Sequence, residues 1–334
     1  MKADPAAPQT TCLIVVPCLN EEAFIGPLLD FLSAEAREVN ATIVVVDGGS
    51  SDRTRAIVSE KALGNPAIRL CDNPLRIQSA GVNRAVERFG ADAAFLIRID
   101  AHAHYPDGYC RTLVAEAERT GASSVVVSMR TVARHGFQAA VAIAQSGRIG
   151  TGGSSHRSAP VGRWVDHGHH ALIRVDAFKG VGGYDETFSH NEDAELDHRL
   201  HKAGGRVWMT AETDMTYYPR ATAGGLFRQY FGYGKGRARN MLKHRTPPKL
   251  RQALPMLVAP ALVLALLSPL SLLFAVPAAA WVAACLLGGL AGFARTRKVE
   301  ALLAGVAAMI MHLGWSLGFW AQLASPPRPR EIRA

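Results

Sequence analysis

Several short stretches of this 334-residue sequence set acids and histidines where chemistry could follow. Asp47 ends the apolar run ATIVVVD and precedes two glycines, so its carboxylate can accept a hydrogen bond beside a backbone that a ligand can approach closely. The same placement suits a turn-forming, capping aspartate. Asp100 ends a second apolar run, AAFLIRID, with His102 and His104 close behind; either histidine also reads as a plain loop residue. Asn191, Glu192 and Asp193 open a helical pattern, where the helix dipole keeps a carboxylate ionised, as a base requires. Capping is the simpler role for that pair. Glu195 and His198 form an E-x-x-H, with His201 one turn on, but carboxylate metal sites need a second copy on an inward face. None occurs, so an exposed helix face is expected. His167, His169 and His170 read as strand and loop residues just before the turn GVGGYDETF.

The elements that must position these residues alternate. TCLIVVP, ATIVVVD, IRLCDN and AAFLIRID read as strands; EEAFIGPLLDFLSAEAR, RTRAIVSEKAL with Asp52 as N-cap, and QSAGVNRAVERFG read as helices. That alternation predicts a parallel sheet with crossover helices, and ligands bind such sheets at the carboxyl ends of the strands. Asn20, Asp47 and Asp100 each follow an apolar run, so they converge on one rim. The second half is less regular: strands at SSVVVSMR, VDHGHHALIRVDAF and RVWMT, helices at ARHGFQAAVAIAQSGRIG and EDAELDHRLHKAGG, and a loop at GGSSHRSAPVGR. RQYFGYGKGRARN is basic, aromatic and glycine-rich, without the preceding strand of a dinucleotide fingerprint.

The net charge is +9, and its distribution decides what it means. Up to Asp214 there are 22 Lys and Arg against 26 Asp and Glu; from Met215 on there are 15 against 2. The globular part is mildly acidic, so no nucleic acid is expected as partner. With 49% hydrophobic residues, disorder is excluded. Gln252 to Ala294 carries no charged side chain, room for two membrane crossings broken at Pro269 and Pro277, and Ala301 to Ala324 is a third span or an interfacial helix. Basic residues before (Lys243, Arg245, Lys249, Arg251) and between (Arg295, Arg297, Lys298) place the N-terminal domain in the cytoplasm, while Arg328, Arg330 and Arg333 follow the third segment. The N-terminus MKADPAAPQT has no apolar signal core, and the five scattered cysteines suit a reducing compartment.

VPCLNEE at 16–22, VVVDGGSSDRT at 44–54, IRIDAHAHYP at 97–106 and GGYDETFSHNEDAELDHRL at 182–200 resemble, in order and spacing, the inverting glycosyltransferases of family 2. The likeness covers about residues 11–240 and is strongest to exopolysaccharide enzymes of the succinoglycan type. It implies an α/β fold, the Rossmann-like GT-A nucleotide-sugar domain, followed by C-terminal transmembrane helices. It places Asp47 on the uracil imide of a UDP-sugar, with Pro17, Asn20 and Glu21 in the same subsite. Asp100 and His102 take the place of the family's D-x-D, where a divalent cation bridges the donor diphosphate. His102 departs from type, and an imidazole suits Mn²⁺ at least as well as Mg²⁺. Asp193 is implied as the general base, with Glu192 beside it. Gln229 stands where processive relatives carry Q-x-x-R-W; the missing Arg-Trp implies one sugar per encounter. Gln229 and Arg237 are implied donor contacts, Arg228 or Lys235 sharing that role, unless these cations form a juxtamembrane belt on anionic lipid.

The resulting expectation divides the chain into a tail at 1–10, a glycosyltransferase domain at 11–240 (nucleotide half 11–104, acceptor half 105–240), a basic juxtamembrane segment at 241–252, two to three membrane helices in 253–324 and a basic tail at 325–334. The expected activity moves a hexose, glucose by resemblance, from a UDP-sugar to a polyprenyl-linked saccharide at the cytoplasmic face of the inner membrane. Two rivals stand beside it: a transferase acting on polyprenyl phosphate itself, and a catalytically silent membrane scaffold.

Overall fold

The structure, a computed structural model, describes residues 11–133, 136–151, 162–248 and 250–325. The N-terminal tail, most of the GGSSHRSAPVGR loop, Lys249 and the basic tail with Arg328, Arg330 and Arg333 lie outside the described residues. The described chain divides into two compact units, residues 1–130 with 159–216, and residues 131–158 with 217–334.

The first unit is built on an eight-stranded mixed sheet of order β3-β2-β1-β4-β7-β5-β8-β6. β1 (Cys12–Cys18), β2 (Ala41–Asp47), β3 (Ile68–Asp72) and β4 (Phe95–Arg98) run parallel, as the strand and helix alternation predicts. β5 (Ser124–Thr131), β6 (Arg163–Val165), β7 (His169–Arg174) and β8 (Val207–Tyr217) complete it, with β7 antiparallel to both β4 and β5. The central strands are apolar throughout because both faces are covered. Ile14, Val16, Ile43, Val45 and Ile97 pack on one side against Leu29 and Leu32 of α1 (Ile25–Glu38) and Leu113 of α4 (Tyr109–Thr120). Leu13, Val15, Val44, Val46 and Leu96 face the other side, where α3 (Gln78–Phe89) brings Val82 and Val86, and α8 (Glu192–Lys202) brings Leu196 and Leu200. Burying these side chains supplies the main stabilisation, about 1.5–3 kcal/mol for each large one.

α2 (Thr54–Gly64) starts one residue later than the Asp52 cap would set it; the Asp52 carboxylate still accepts the Thr54 N–H (2.9 Å) and hydroxyl (2.6 Å). The stretch VDHGHHALIRVDAF, read from sequence as one strand, instead holds the last residue of β6, an irregular 166–168, β7 and the start of the helix α7 (Val175–Gly180). α8 ends where expected, with Gly204 at φ +85°.

In the second unit α5 (Gly136–Ser146) and α6 (Arg148–Thr151) accompany α9 (Ala223–His244), α10 (Leu250–Met256), α11 (Val258–Ala265), α12 (Val276–Thr296) and α13 (Glu300–Ala324). The glycine-rich stretch GYGKG lies inside the 22-residue α9, against its low helix propensity. Packing explains it. A Cβ on Gly234 would meet the backbone of Trp315, and one on Gly318 that of Phe231, so α9 and α13 approach backbone to backbone.

Two helical stretches are long and apolar enough to cross a membrane, Leu272–Thr296 and Glu300–Ala324. The expectation of two crossings between Gln252 and Ala294 needs correction. Pro255 lies inside α10, α11 stops at Ala265, and turns follow to Leu270, so the first apolar stretch is too short for a single span. Pro277 is the second residue of α12, in the first turn, where a missing N–H costs nothing.

Candidate active site

β1 and β2 end level, Cys18 opposite Asp47, and β4, across the point where the strand order reverses, stops opposite Val15; the loops after β1 and β2 interlock. Asn20, in the left-handed region at φ +56°, accepts the Ser51 N–H at 2.8 Å. The Glu22 carboxylate accepts the Arg53 N–H at 2.9 Å, and the Glu21 N–H donates to the Thr54 hydroxyl at 2.8 Å. Pro17 sits in β1 opposite Val46, one residue short of Asp47 on its neighbour.

Asp47 has no exposed side-chain surface. Its carboxylate accepts the N–H groups of Gly49 (3.0 Å) and Ser50 (3.1 Å), the Ser50 hydroxyl, and Arg55 Nη1 at 2.8 Å. Arg55 continues to Asp72 at 2.7 Å. Burial alone would raise the Asp47 pKa, but hydrogen bonds from Ser50, Arg55 and Gly49 outweigh it and hold the carboxyl below its usual range. In this arrangement Asp47 shapes the loop from within, as a turn-forming aspartate does, and presents no oxygen outward.

Asp100 stands two residues beyond β4, its side chain 27% exposed, with His169 Nε2 at 3.5 Å from Oδ2. His102 is 58% exposed, and its Nδ1 lies 3.0 Å from Glu21 Oε1. Glu21 thus joins the rim through His102. Among the described residues no group of three ligand-type side chains is arranged to hold a metal ion. Asp100 and His102 offer a hard carboxylate and a softer imidazole, donor types that suit a divalent cation.

Asp193 lies in the first turn of α8, after Asn191 at φ +62°, with its side chain 18% exposed. Arg98, the last residue of β4, grips it with both terminal nitrogens, Nη1 to Oδ1 at 2.5 Å and Nη2 to Oδ2 at 3.1 Å. The Tyr184 hydroxyl donates to Oδ1 at 3.2 Å, and His170 Nδ1 lies 3.3 Å from the same oxygen. His170 Nε2 in turn lies 2.8 Å from Asp197, both side chains fully buried. Burial opposes ionisation of Asp193, but Arg98, His170 and His169 outweigh it and hold the carboxyl far below the usual range. Burial and then the charge on Asp193 push Glu192 up to about 7. Burial also opposes protonation of His170, yet Asp197 and Asp193 raise it above its ordinary value. One ionised carboxylate and one acid titrating near neutrality thus sit side by side, a pairing found where proton transfer is done.

The structure brings Asp100 and Asp193 into one chain of contacts through His169 and Arg98, since His169 Nδ1 lies 3.3 Å from Arg98 Nη2. Sequence reasoning left out Arg98, Tyr184 and Asp197, and read His169 and His170 as plain strand and loop residues. The available signal was an arginine closing the strand FLIR, where every other residue is apolar. Glu195, expected on an exposed helix face, is instead fully buried, its carboxylate held by Arg199 (2.8 and 2.6 Å). Gln229 and Arg237 lie on α9 in the second unit; the Gln229 amide donates to the hydroxyls of Tyr217 (2.9 Å) and Tyr233 (3.1 Å).

A family model described as glycosyl transferase family 2 matches residues 13–182. The succinoglycan biosynthesis protein ExoA of Rhizobium meliloti (strain 1021) is 55% identical over 314 residues, which is 94% of this chain and 95% of that protein. A dolichyl N-acetyl-alpha-D-glucosaminyl phosphate 3-beta-D-2,3-diacetamido-2,3-dideoxy-beta-D-glucuronosyltransferase of Methanococcus voltae is 24% identical over 234 residues, 66% of this chain and 71% of that one. In fold, the chain is similar to the mannosyltransferase PcManGT of Pyrobaculum calidifontis, solved with GDP-Man and Mn²⁺, at TM-score 0.58 and 18% identity over 95% of this chain and 88% of that one. GalNAc-T7, solved with UDP, GalNAc and Mn²⁺, gives TM-score 0.52 and 14% identity over 70% of this chain and 48% of that one. The mixed α/β sheet is thus the GT-A fold, and the chain, a glycosyltransferase homologous to a succinoglycan biosynthesis protein, belongs to glycosyl transferase family 2.

Proposed function

We propose that this glycosyltransferase moves a hexose, glucose, from a UDP-sugar to a polyprenyl-linked oligosaccharide at the cytoplasmic face of the bacterial inner membrane, with inversion, during exopolysaccharide assembly. The observation that carries the reading is the continuous contact from Asp100 through His169 and Arg98 to Asp193, which brings two carboxylates, one assigned to the cation and one to the base in this proposal, to one strand edge.

The interlocked loops after β1 and β2, with Pro17, Asn20 and Glu21, form the nucleotide shelf, and Asp47 keeps its shape. Asp100 and His102 hold a divalent cation, Mg²⁺ or Mn²⁺, which when bound offsets the charge growing on the leaving diphosphate. The Mn²⁺ in the two solved transferases supports this assignment. Asp193, already ionised, receives the acceptor hydroxyl's proton as that oxygen attacks the anomeric carbon. The grip of Arg98 that fixes Asp193 also weakens it as a base, and Glu192, poised near neutrality, shares the proton; the two titrate as a pair. Gln229 and Arg237 are proposed as donor contacts from α9. The two long apolar helices anchor the enzyme in the bilayer, where a polyprenyl-linked acceptor is confined, and shared confinement raises its effective concentration. The name of the archaeal relative, which refers to a dolichyl-phosphate-linked sugar, supports an acceptor of this class.

The test is transfer by the full chain in proteoliposomes. It would be given several radiolabelled UDP-sugars, with a lipid-linked oligosaccharide or polyprenyl phosphate as acceptor, and Mn²⁺, Mg²⁺ or EDTA. Label reaching the lipid-linked oligosaccharide only with a cation supports the reading. Label on polyprenyl phosphate alone would shift the acceptor, and no transfer with any donor would leave the silent scaffold.

A further inference from the structure

The grip on Asp193 is more specific than charge balance requires. Arg98 is the fourth and last residue of β4, and strand alternation puts it on the same face as Leu96, beneath α8. Its side chain is only 3% exposed, so it has no surface to offer a substrate. Both terminal nitrogens are used twice: Nη1 reaches Asp193 Oδ1 and the Tyr184 hydroxyl (3.2 Å), and Nη2 reaches Asp193 Oδ2 and His169 Nδ1. Two parallel contacts stop the carboxylate turning about its Cβ–Cγ bond, which one cation at a single point cannot do. The buried Nε–H, by contrast, has no partner among the described residues. A buried donor left unmet is costly, so the guanidinium is oriented for the fork and not for its own satisfaction. Behind it the Tyr184 hydroxyl lies 2.7 Å from His170 Nδ1, which closes the far side of the carboxylate. In front, His169 stands between Arg98 and Asp100.

We propose that Arg98 is a positioning residue that sets the Asp193 carboxylate at a fixed place relative to the Asp100 rim, aligning the acceptor hydroxyl with the anomeric carbon of the bound donor. This rests on the transferase reading above. It assigns the arginine to the chemical step and not to donor binding, because its contacts run to the base and not to the nucleotide loops.

The conservative variant separates the two roles. Arg98→Lys keeps the positive charge and loses the fork. Expected in the full-length enzyme is a fall in kcat of about 100-fold, the scale of a misplacement near 1 Å, with donor KM and the Kd of UDP in Mn²⁺ each within about threefold. In an Asp193→Asn background the same substitution should lower the residual rate by less than about threefold, since a group acting through Asp193 has nothing left to position. The proposal is overturned if folded Arg98→Lys keeps its kcat, if kcat and UDP affinity fall together, or if the substitution costs as much without Asp193 as with it. If Arg98→Lys does not fold, His169→Gln decides: kcat should fall about tenfold with UDP affinity retained, and an unchanged kcat would remove the tie between the two rims. Inactive wild-type enzyme would instead sink the transferase reading itself.

Discussion

Glu21 Oε1 lies 3.0 Å from His102 Nδ1, so the loop after β1 is tied to the loop after β4 across the strand edge proposed above as the donor site. This contact fixes the imidazole that stands in place of a carboxylate, so under the proposed cation site the metal preference would depend on three side chains, Glu21, His102 and Asp100. Replacing His102 with Ala should lower kcat/KM by about 10- to 100-fold. His102→Asp should instead raise the rate with Mg²⁺ relative to Mn²⁺, because a hard oxygen replaces a softer nitrogen. Initial rates at matched concentrations of the two ions check both; an unchanged ratio in His102→Asp would exclude His102 as a ligand.

Asp193→Asn should reduce transfer by about 10²- to 10⁴-fold, the usual worth of a positioned base. UDP binding in the presence of Mn²⁺ should persist, because none of the nucleotide loops contacts Asp193. Titration calorimetry beside a radiolabel assay distinguishes this from a folding defect, which would remove both.

Glu192 supplies a pH signature. A carboxyl whose pKa is raised on folding favours the folded chain below its unfolded value, and loses that contribution as pH climbs through the folded value. For Glu192 the window runs from the ordinary 4.5 to about 7. Asp193 has the opposite sign: its contribution is present above the ordinary 3.8 and is lost only in stronger acid, so it is constant across that window. The Tm of Glu192→Gln, relative to wild type, should therefore climb between pH 4.5 and pH 8. A flat difference would contradict the raised pKa.

The glycines of the second unit can be tested separately. Gly318→Ala places a methyl group on the Phe231 carbonyl and should cost about 1–3 kcal/mol of stability, as overpacking does. Gly224→Ala, whose nearest new neighbour is the Arg228 side chain at 3.6 Å, should be neutral or stabilising. Thermal denaturation of the detergent-purified proteins compares them.

Much of the first unit was legible in the sequence because its strands are covered on both faces and end in polar residues. LIVVP, IVVV and FLI are unbroken apolar runs, and Asn20, Asp47 and Asp100 mark where they stop. What escaped was long-range. Nothing local shows that Arg98 meets Asp193 across 95 residues, or that His170 reaches Asp197, because those partners converge only once β7 inserts beside β4. Asp47 illustrates the reverse: its position at a strand end was plain, but whether its oxygens face a ligand or its own loop depends on Arg55 and Ser50, eight and three residues on. The α9 helix was missed because five of its residues are glycines, which count against a helix until the partner that needs the space is known.

The seam between α9 and α13 also bears on how the enzyme can be cut. Glycine-lined backbone on α9 has α13 as its cover, and α13 also packs against Val141 and Ala144 of α5. A fragment ended ahead of α12 to gain solubility would strip that cover from both helices and leave a sticky groove in its place. Trimming from the C-terminal side therefore has to stop after residue 324, since any earlier end, even one before residue 217, uncovers α5.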